Sequence, residues 1–241
     1  MKTHPYDDSS TTTTRRERAN LPGWPEILAG LGAAAATTGA LVLVAPVLPT
    51  DPVLYGLALA GWSVAVAFVG FGAAVLVRRQ SLSAFGVVAT TGRWLLIGFA
   101  AGVVTFLLKG LVNFALTALT GFNENAQVPY YAAAGGGILA AVLTFVFLSF
   151  LVPLGEELLF RGVLMRGLLR YGAVVAVLAS SVVFALFHGF NMALPTALVV
   201  GVVAAEITRR SGSIWPAVVV HVVNNLALPL FVLLLGLGST P

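Results

Sequence analysis

The long apolar stretches of this chain constrain its fold more than any other feature. Apolar residues make up 59% of the 241 residues, and charged residues make up only 9%. A soluble domain needs a charged surface and usually carries about 25% charged residues. Lipid is therefore the better solvent for this surface, and inside lipid the backbone polar groups must be satisfied within helices. We predict an all-α fold, built as a polytopic bundle of transmembrane helices.

Seven segments of the sequence are long and apolar enough to cross a bilayer. A spanning helix needs roughly 20 predominantly apolar residues. The segments cover approximately residues 26–48, 53–77, 94–119, 137–157, 172–190, 194–208 and 214–235. We therefore predict about seven spans, with a disordered cytoplasmic tail at residues 1–25 before them and a short tail at residues 237–241 after them.

The basic residues predict how the bundle is oriented. Of the 13 Lys and Arg residues, only Lys109 lies inside a predicted span. The others precede the first span or lie between spans two and three, four and five, and six and seven. All these positions are on one side of the membrane. Because cytoplasmic loops are enriched in Lys and Arg, we expect a multi-pass protein of the cell membrane with a cytoplasmic N-terminus and an external C-terminus.

Several function classes lack the residues that they require. The chain has no cysteine, which excludes a thiolate metal site and a cysteine nucleophile. It has no glycine-rich phosphate-binding loop, and its basic residues follow the topology pattern instead of a nucleic-acid-binding pattern. We therefore expect membrane lipid among the partners of this protein, and no nucleic acid.

The most unusual polar residues come after residue 150, where ionisable side chains in apolar segments mark function by default. The first group is Glu156, Glu157 and Arg161. Glu157 and Arg161 are four residues apart, so on a helix they share a face and pair, while Glu156 points about 100° away. One carboxylate is then available for chemistry. The alternative is that both glutamates are solvated at the end of a span.

Two further groups carry histidines. His188 follows Phe184 at the end of an apolar segment, where it is either a base, ligand or proton shuttle, or a residue bonded to a loop carbonyl. His221 and Asn225 are four residues apart in the seventh predicted span and share one helix face. They are either reactive groups or a hydrogen-bonding pair between helices.

A carboxylate with two imidazoles is suited to the activation of water. The carboxylate takes a proton from water, while the imidazoles either bind a metal that activates the water or hydrogen-bond a developing oxyanion. An Asn amide can donate to the same oxyanion without adding a charge. The three groups together predict a hydrolytic site in a buried polar cavity.

At these residues the sequence resembles a known family. The series EExxxR, FxxxH and HxxxN, the last one preceded by Gly-Ser-Ile-Trp-Pro, is similar to the motifs of the CAAX protease and bacteriocin-processing (CPBP, or Abi) family. That family includes the type II CAAX prenyl endopeptidases. The resemblance covers roughly residues 135–235. It implies a protease core at residues 135–236, preceded by N-terminal transmembrane helices at residues 26–134.

The resemblance implies a role for each motif residue. Glu156 resembles the catalytic glutamate that activates water. The other catalytic positions match His188, His221 and Asn225. The supporting positions match Glu157, Arg161 and Phe184. Members of the family are described either as metalloproteases or as metal-free glutamate proteases. A zinc ion would take Glu156, His188 and His221 as its ligands, but the chain has no HExxH pair on one helix. We favour a glutamate-activated water without tightly bound zinc.

The function expected from the resemblance is that of an intramembrane endopeptidase acting on a membrane-tethered or prenylated, CAAX-type substrate. One alternative is a proton-coupled transporter or channel that uses the same side chains as a relay. The first two predicted spans offer almost no polar lining for such a path. The other alternative is a non-catalytic immunity or scaffold member of the family.

The predicted depths of the catalytic residues conflict. Glu156 lies near the cytoplasmic end of span four and His188 near the outer end of span five, so straight helices would hold them more than about 15 Å apart in depth. The site forms only under one of two conditions. Either span four continues past Arg161, or residues 158–171, otherwise expected as an interfacial helix, sink into the bundle.

Two polar groups lie outside the motifs. Lys109 and Asn113 are four residues apart inside span three. They either line the cavity or, as we favour for an intramembrane lysine, pair with a nearby acceptor or snorkel to the interface. Glu206 precedes Arg209 and Arg210 and is expected to form an interfacial ion pair with them.

Overall fold

The computed structural model describes residues 21–124 and 127–226, and this part of the chain contains helices and no β-strand. The all-α prediction is therefore confirmed for these residues. The tails predicted at residues 1–25 and 237–241 lie almost entirely outside the described residues.

Eight helices make up the described part of the chain. They are α1 (Trp24–Val44), α2 (Pro52–Arg78), α3 (Gly92–Thr120), α4 (Val128–Gly135), α5 (Ile138–Tyr171), α6 (Ala173–Phe187), α7 (Ala193–Ser211) and α8 (Trp215–Asn225). Helix α1 continues into a short 3₁₀ turn that ends at Val47.

Four of these helices are long and apolar enough to cross a membrane: α1 with its 3₁₀ extension, α2, α3 and α5. Helix α6 is apolar but shorter, with 15 residues. The protein is therefore an integral, multi-pass membrane protein. The count of about seven spans stays a prediction, because the seventh segment continues past the last described residue of the bundle, Leu226.

Helix α5 is the central element of the bundle. It runs without a break from Ile138 to Tyr171, although its hydrogen bonding changes to the wider π pattern at Val146–Leu151 and again at Glu157–Met165. Every residue of the second π-helical stretch is buried. Its apolar side chains form the main core together with residues of α1, α2, α6 and α7.

The expectation of an interfacial helix at residues 158–171 is wrong. The arginines in this stretch find partners within the protein, so the stretch does not need the water at the interface. Arg161 pairs with Glu157, while Arg166 and Arg170 donate to backbone carbonyls of neighbouring segments. Span four thus continues past Arg161, and residues 158–165 are buried in the bundle, as the formation of the site requires.

The segments that carry the basic residues meet at one end of the bundle. Arg170 donates to the carbonyl oxygen of Pro22 at 2.5 Å. Arg166 donates to the carbonyl oxygens of Ala84 and Gly212, at 2.9 and 3.3 Å. The loops before α1, between α2 and α3, and between α7 and α8 therefore lie next to the end of α5. This clustering fits the charge pattern, and the side of the membrane that this end faces stays a prediction.

Helices α3 and α8 approach each other closely because glycines face the contact. A Cβ added to Gly98 would collide with the carbonyl oxygen of Pro216. A Cβ added to Gly102 would lie 2.8 Å from the Cβ of Val223. Small residues let helix backbones approach in membrane proteins, where lipid supplies no hydrophobic drive for association. This contact sets the position of α8, which carries the last of the three motifs.

Candidate active site

Glu157 lies behind the cavity, in the core of the bundle. Its carboxylate is fully buried, and its Oε1 lies 3.1 Å from Nη1 of Arg161. The guanidinium of Arg161 also donates to the carbonyl oxygen of Gly201 at 3.2 Å and lies 4.4 Å from the centre of the Phe184 ring. The ion pair predicted from the spacing is therefore present. Through the contacts of Arg161 with Gly201 and Phe184, this pair ties α5 to α6 and α7.

His221 connects the two adjacent glutamates. Its Nδ1 lies 2.8 Å from Oε1 of Glu157, and its Nε2 lies 3.5 Å from Oε2 of Glu156. An ionised carboxylate only accepts hydrogen bonds, so Nδ1 of the imidazole carries the hydrogen. The ring is thereby held in one tautomer, and its Nε2 faces Glu156.

His188 ends α6 and is oriented by its own helix. Its Nδ1 lies 2.9 Å from the carbonyl oxygen of Phe184, which can only accept, so Nδ1 is the donor here as well. The carbonyl oxygen of His188 accepts a hydrogen bond from the side chain of Asn191 at 2.6 Å. When the ring is neutral, its Nε2 keeps a free lone pair.

Phe184 lies between the two histidines. Its ring centre is 4.7 Å from that of His188 and 5.6 Å from that of His221, and both contacts are edge-to-face. The Phe184 ring thus contacts both imidazoles and also stacks against the buried guanidinium of Arg161.

The two asparagines of α8 have different roles in the structure. Asn225 donates to the carbonyl oxygen of Leu148 at 2.9 Å and borders the cavity. Asn224 is almost completely buried, and its Nδ2 lies 2.6 Å from Oγ1 of Thr105 on α3. Sequence reasoning did not single out Asn224, although the Asn-Asn pair in an apolar span was a signal for it.

One cavity of about 830 Å³ brings the motifs together. Glu156, His188, His221 and Asn225 all line it, as does Phe184. This arrangement resolves the predicted conflict over depth. Helices α5 and α6 run antiparallel and are joined at Gly172, and Glu156 and His188 lie equally far along the chain from the ends that are joined there. The two side chains therefore reach a similar level of the bundle.

The zinc ligands that the resemblance allows are Glu156, His188 and His221. Among residues 21–124 and 127–226, no group of three His, Asp or Glu side chains is placed so that it could hold a metal ion. The expectation of a glutamate-activated water without tightly bound zinc stays a prediction.

Residues 138–227 match the family model described as type II CAAX prenyl endopeptidase Rce1-like. This segment of the chain is therefore similar to Rce1-like proteins. The match begins at the first residue of α5 and extends past α8, so it contains all three motifs, and it confirms the resemblance inferred from them. The family is one of proteases. No curated protein and no solved structure matches the chain.

Helices outside the matched segment complete the wall of the cavity. Ser63 of α2 and Tyr130 of α4 line it, and their hydroxyl oxygens lie 3.3 Å apart. Lys109 and Asn113 of α3 line it as well. The motifs gave no signal for Ser63 or Tyr130, because both residues precede the matched segment.

Proposed function

We propose that this protein is an intramembrane endopeptidase that cleaves a membrane-tethered or prenylated, CAAX-type peptide with a water molecule activated by Glu156. The observation that carries the proposal is the contrast between two adjacent carboxylates. Oε1 of Glu157 is held in the core by Arg161 and His221. Oε2 of both glutamates lacks a hydrogen-bond partner within the described part of the chain, but only Glu156 lines the cavity, where its Oε2 faces Nε2 of His221.

The residues around Glu156 have different roles in the proposed reaction. Glu156 accepts a proton from water, and the hydroxide attacks the carbonyl carbon of the scissile peptide bond. His221, with Nδ1–H directed to Glu157, shares the proton with Glu156 through its Nε2. His188 accepts a hydrogen bond from the water at its Nε2 and orients it. When the tetrahedral intermediate collapses, the C–N bond breaks and the proton passes to the leaving amine.

The developing oxyanion needs a donor that does not titrate. Asn225 has two amide hydrogens, and only one of them has a described acceptor, the carbonyl oxygen of Leu148. The second hydrogen is the natural partner of the oxyanion. Loss of a single oxyanion donor typically lowers kcat by about 10²- to 10³-fold, so Asn225 is placed to contribute a substantial part of the rate.

The test is a cleavage assay with purified full-length protein in liposomes. A farnesylated peptide of the CAAX type serves as the substrate, and mass spectrometry of the fragments locates the scissile bond. We expect Glu156→Gln to lose cleavage by at least about 10³-fold, because the amide cannot take a proton from water. Its thermal unfolding should match that of the wild type, since Glu156 makes no buried ion pair with an arginine. Wild-type rates in this variant would exclude the mechanism.

The same liposomes separate the competing functions. A proton-coupled transporter would carry protons across the bilayer, which an enclosed pH-sensitive dye detects, and would leave the peptide intact. A scaffold member of the family would give neither signal. Peptide cleavage without proton flux, lost in Glu156→Gln, is the result expected for the endopeptidase.

A further inference from the structure

A polar stripe runs along α3 toward the cavity. Thr105, Lys109, Asn113 and Thr117 follow one another at intervals of four residues, so they lie on one face of the helix. The last three line the cavity. The rest of this long helix is rich in exposed apolar side chains, as expected for a surface against lipid. A stripe of this kind in a spanning helix indicates a functional surface.

Lys109 is the unpaired cation of this stripe. Within residues 21–124 and 127–226 it makes no ion pair and no side-chain hydrogen bond. The other intramembrane cation of the site, Arg161, is committed to Glu157. Asn113, one turn further along α3, has a buried amide oxygen that also lacks a partner. An unpaired ammonium inside a membrane is costly, so both groups are expected to have partners in the working state.

Lys109 lies close to the reaction centre. It lines the same cavity as Glu156 and His188. Thr105, one turn before Lys109, is bonded to Asn224, the neighbour of Asn225 on α8. A ligand that contacts Lys109 can therefore also extend to the catalytic side chains in the same cavity.

We propose that Lys109 binds a carboxylate of the peptide substrate on the leaving-group side of the scissile bond, with Asn113 accepting a hydrogen bond from a peptide N–H. This inference rests on the proposed function and deepens it. The unpaired ammonium in this cavity favours a single negative charge, and every linear peptide carries one at its C-terminus. A side-chain carboxylate near that end has the same chemistry. Lys109 thus makes the position of the cut depend on the distance to a carboxylate.

Three farnesylated peptides of identical length distinguish the two sources of the carboxylate. The first ends in a free carboxylate, the second is its C-terminal amide, and the third is an amide with glutamate as its last residue. We expect the wild type to cleave the acid at least about tenfold faster than the plain amide, measured as kcat/KM, because only the acid pairs with Lys109. Rescue by the third peptide would show that a side-chain carboxylate serves equally well.

Variants on α3 test whether Lys109 is responsible for the preference for the acid peptide. Lys109→Met should bring the acid-to-amide ratio close to one, with the loss appearing mainly in KM. Lys109→Arg keeps the charge and should retain most of the preference. Leu108→Met, an exposed neighbour on the same helix, is the matched control and should keep the wild-type ratio. An unchanged preference in a folded Lys109→Met protein would overturn the proposal, as would a wild type that cleaves acid and amide equally.

A binding measurement keeps this inference apart from the proposed function. Glu156→Gln protein in detergent is titrated with dye-labelled acid and amide peptides, and fluorescence anisotropy is recorded with and without Lys109→Met. Tighter binding of the acid that disappears with Lys109→Met supports the carboxylate site even if no peptide is cleaved. Equal binding of acid and amide rejects the site even if cleavage occurs. Thermal unfolding of each variant confirms that it is folded.

Discussion

Glu156 and Glu157 are adjacent in the sequence but lie in different environments. The helix rotates by about 100° between them, so one carboxylate faces the cavity and the other faces the core. Glu157 holds His221 by Nδ1 and Arg161 by Nη1, at 2.8 and 3.1 Å. It is therefore a positioning residue in the proposed mechanism, which acts through the imidazole that it orients.

The buried Glu157–Arg161 pair leads to a prediction about the stability of the protein. Arg161→Met should destabilise the protein by about 3–5 kcal/mol, because it leaves the Glu157 carboxylate buried without its cation. The double variant Glu157→Gln/Arg161→Met should recover at least half of that loss, since the Gln amide oxygen still accepts from His221 and carries no charge. Thermal unfolding in detergent micelles measures both effects. A double variant less stable than Arg161→Met would show that the pair is not coupled in this way.

At the scale of the helices, α5 determines where the first motif lies. Two π-helical stretches, Val146–Leu151 and Glu157–Met165, flank the short α-helical segment that ends at Glu156. A π-helical turn is wider than an α-turn and changes the direction of the side chains that follow it; such turns are frequent at functional sites. Apolar periodicity does not reveal these turns, and the span predicted from hydropathy therefore ends near Glu157.

The close contact of α3 with α8 carries a second prediction. Gly98→Ala should destabilise the protein by about 1–3 kcal/mol, because the added methyl group meets the backbone of Pro216. Cleavage should fall as well, since α8 carries His221. Gly110→Ala is the control on the same helix, because its added Cβ meets nothing within 4 Å. Both variants gain about the same helix propensity, so the difference between their unfolding temperatures reports the steric clash.

At the scale of the whole molecule, the basic segments lie at one end of the bundle, around the C-terminal end of α5. The opposite end contains the loops before α4 and before α7, which are joined by a hydrogen bond from the Met192 amide to the Glu124 carbonyl oxygen at 3.1 Å. The cavity is lined by Asn123 and Asn191 from these two loops as well as by the catalytic residues. It thus extends toward the end that lacks the basic residues.

The orientation of the protein can be tested directly because the chain has no native cysteine. Single cysteines are placed at two exposed loop positions, Ser81→Cys and Thr50→Cys. With a cytoplasmic N-terminus, a membrane-impermeant maleimide should label Thr50→Cys in intact cells. It should label Ser81→Cys only after the cells are permeabilised. The reverse pattern would place the basic end of the bundle outside the cell.

Local patterns account for what the sequence could predict about this protein. The low charge content indicated lipid as the solvent, and the lengths of the apolar stretches indicated helices. The spacing of four residues predicted the Glu157–Arg161 pair, and it placed Lys109 and Asn113 on one face. Each of these inferences depends only on neighbours within one or two helical turns, where the geometry of the chain is known in advance.

The tertiary structure decided which of these groups meet. His221 reaches Glu157 across 64 residues of sequence, and that contact leaves Glu156 as the free carboxylate. The depth of His188, the burial of residues 158–165 and the turning of Lys109 into the cavity likewise depend on how separate helices pack. Glycine contacts, π-helical turns and arginine bonds to distant carbonyls set that packing. These features are not visible in hydropathy or in motif spacing, because they arise only when the helices are in contact.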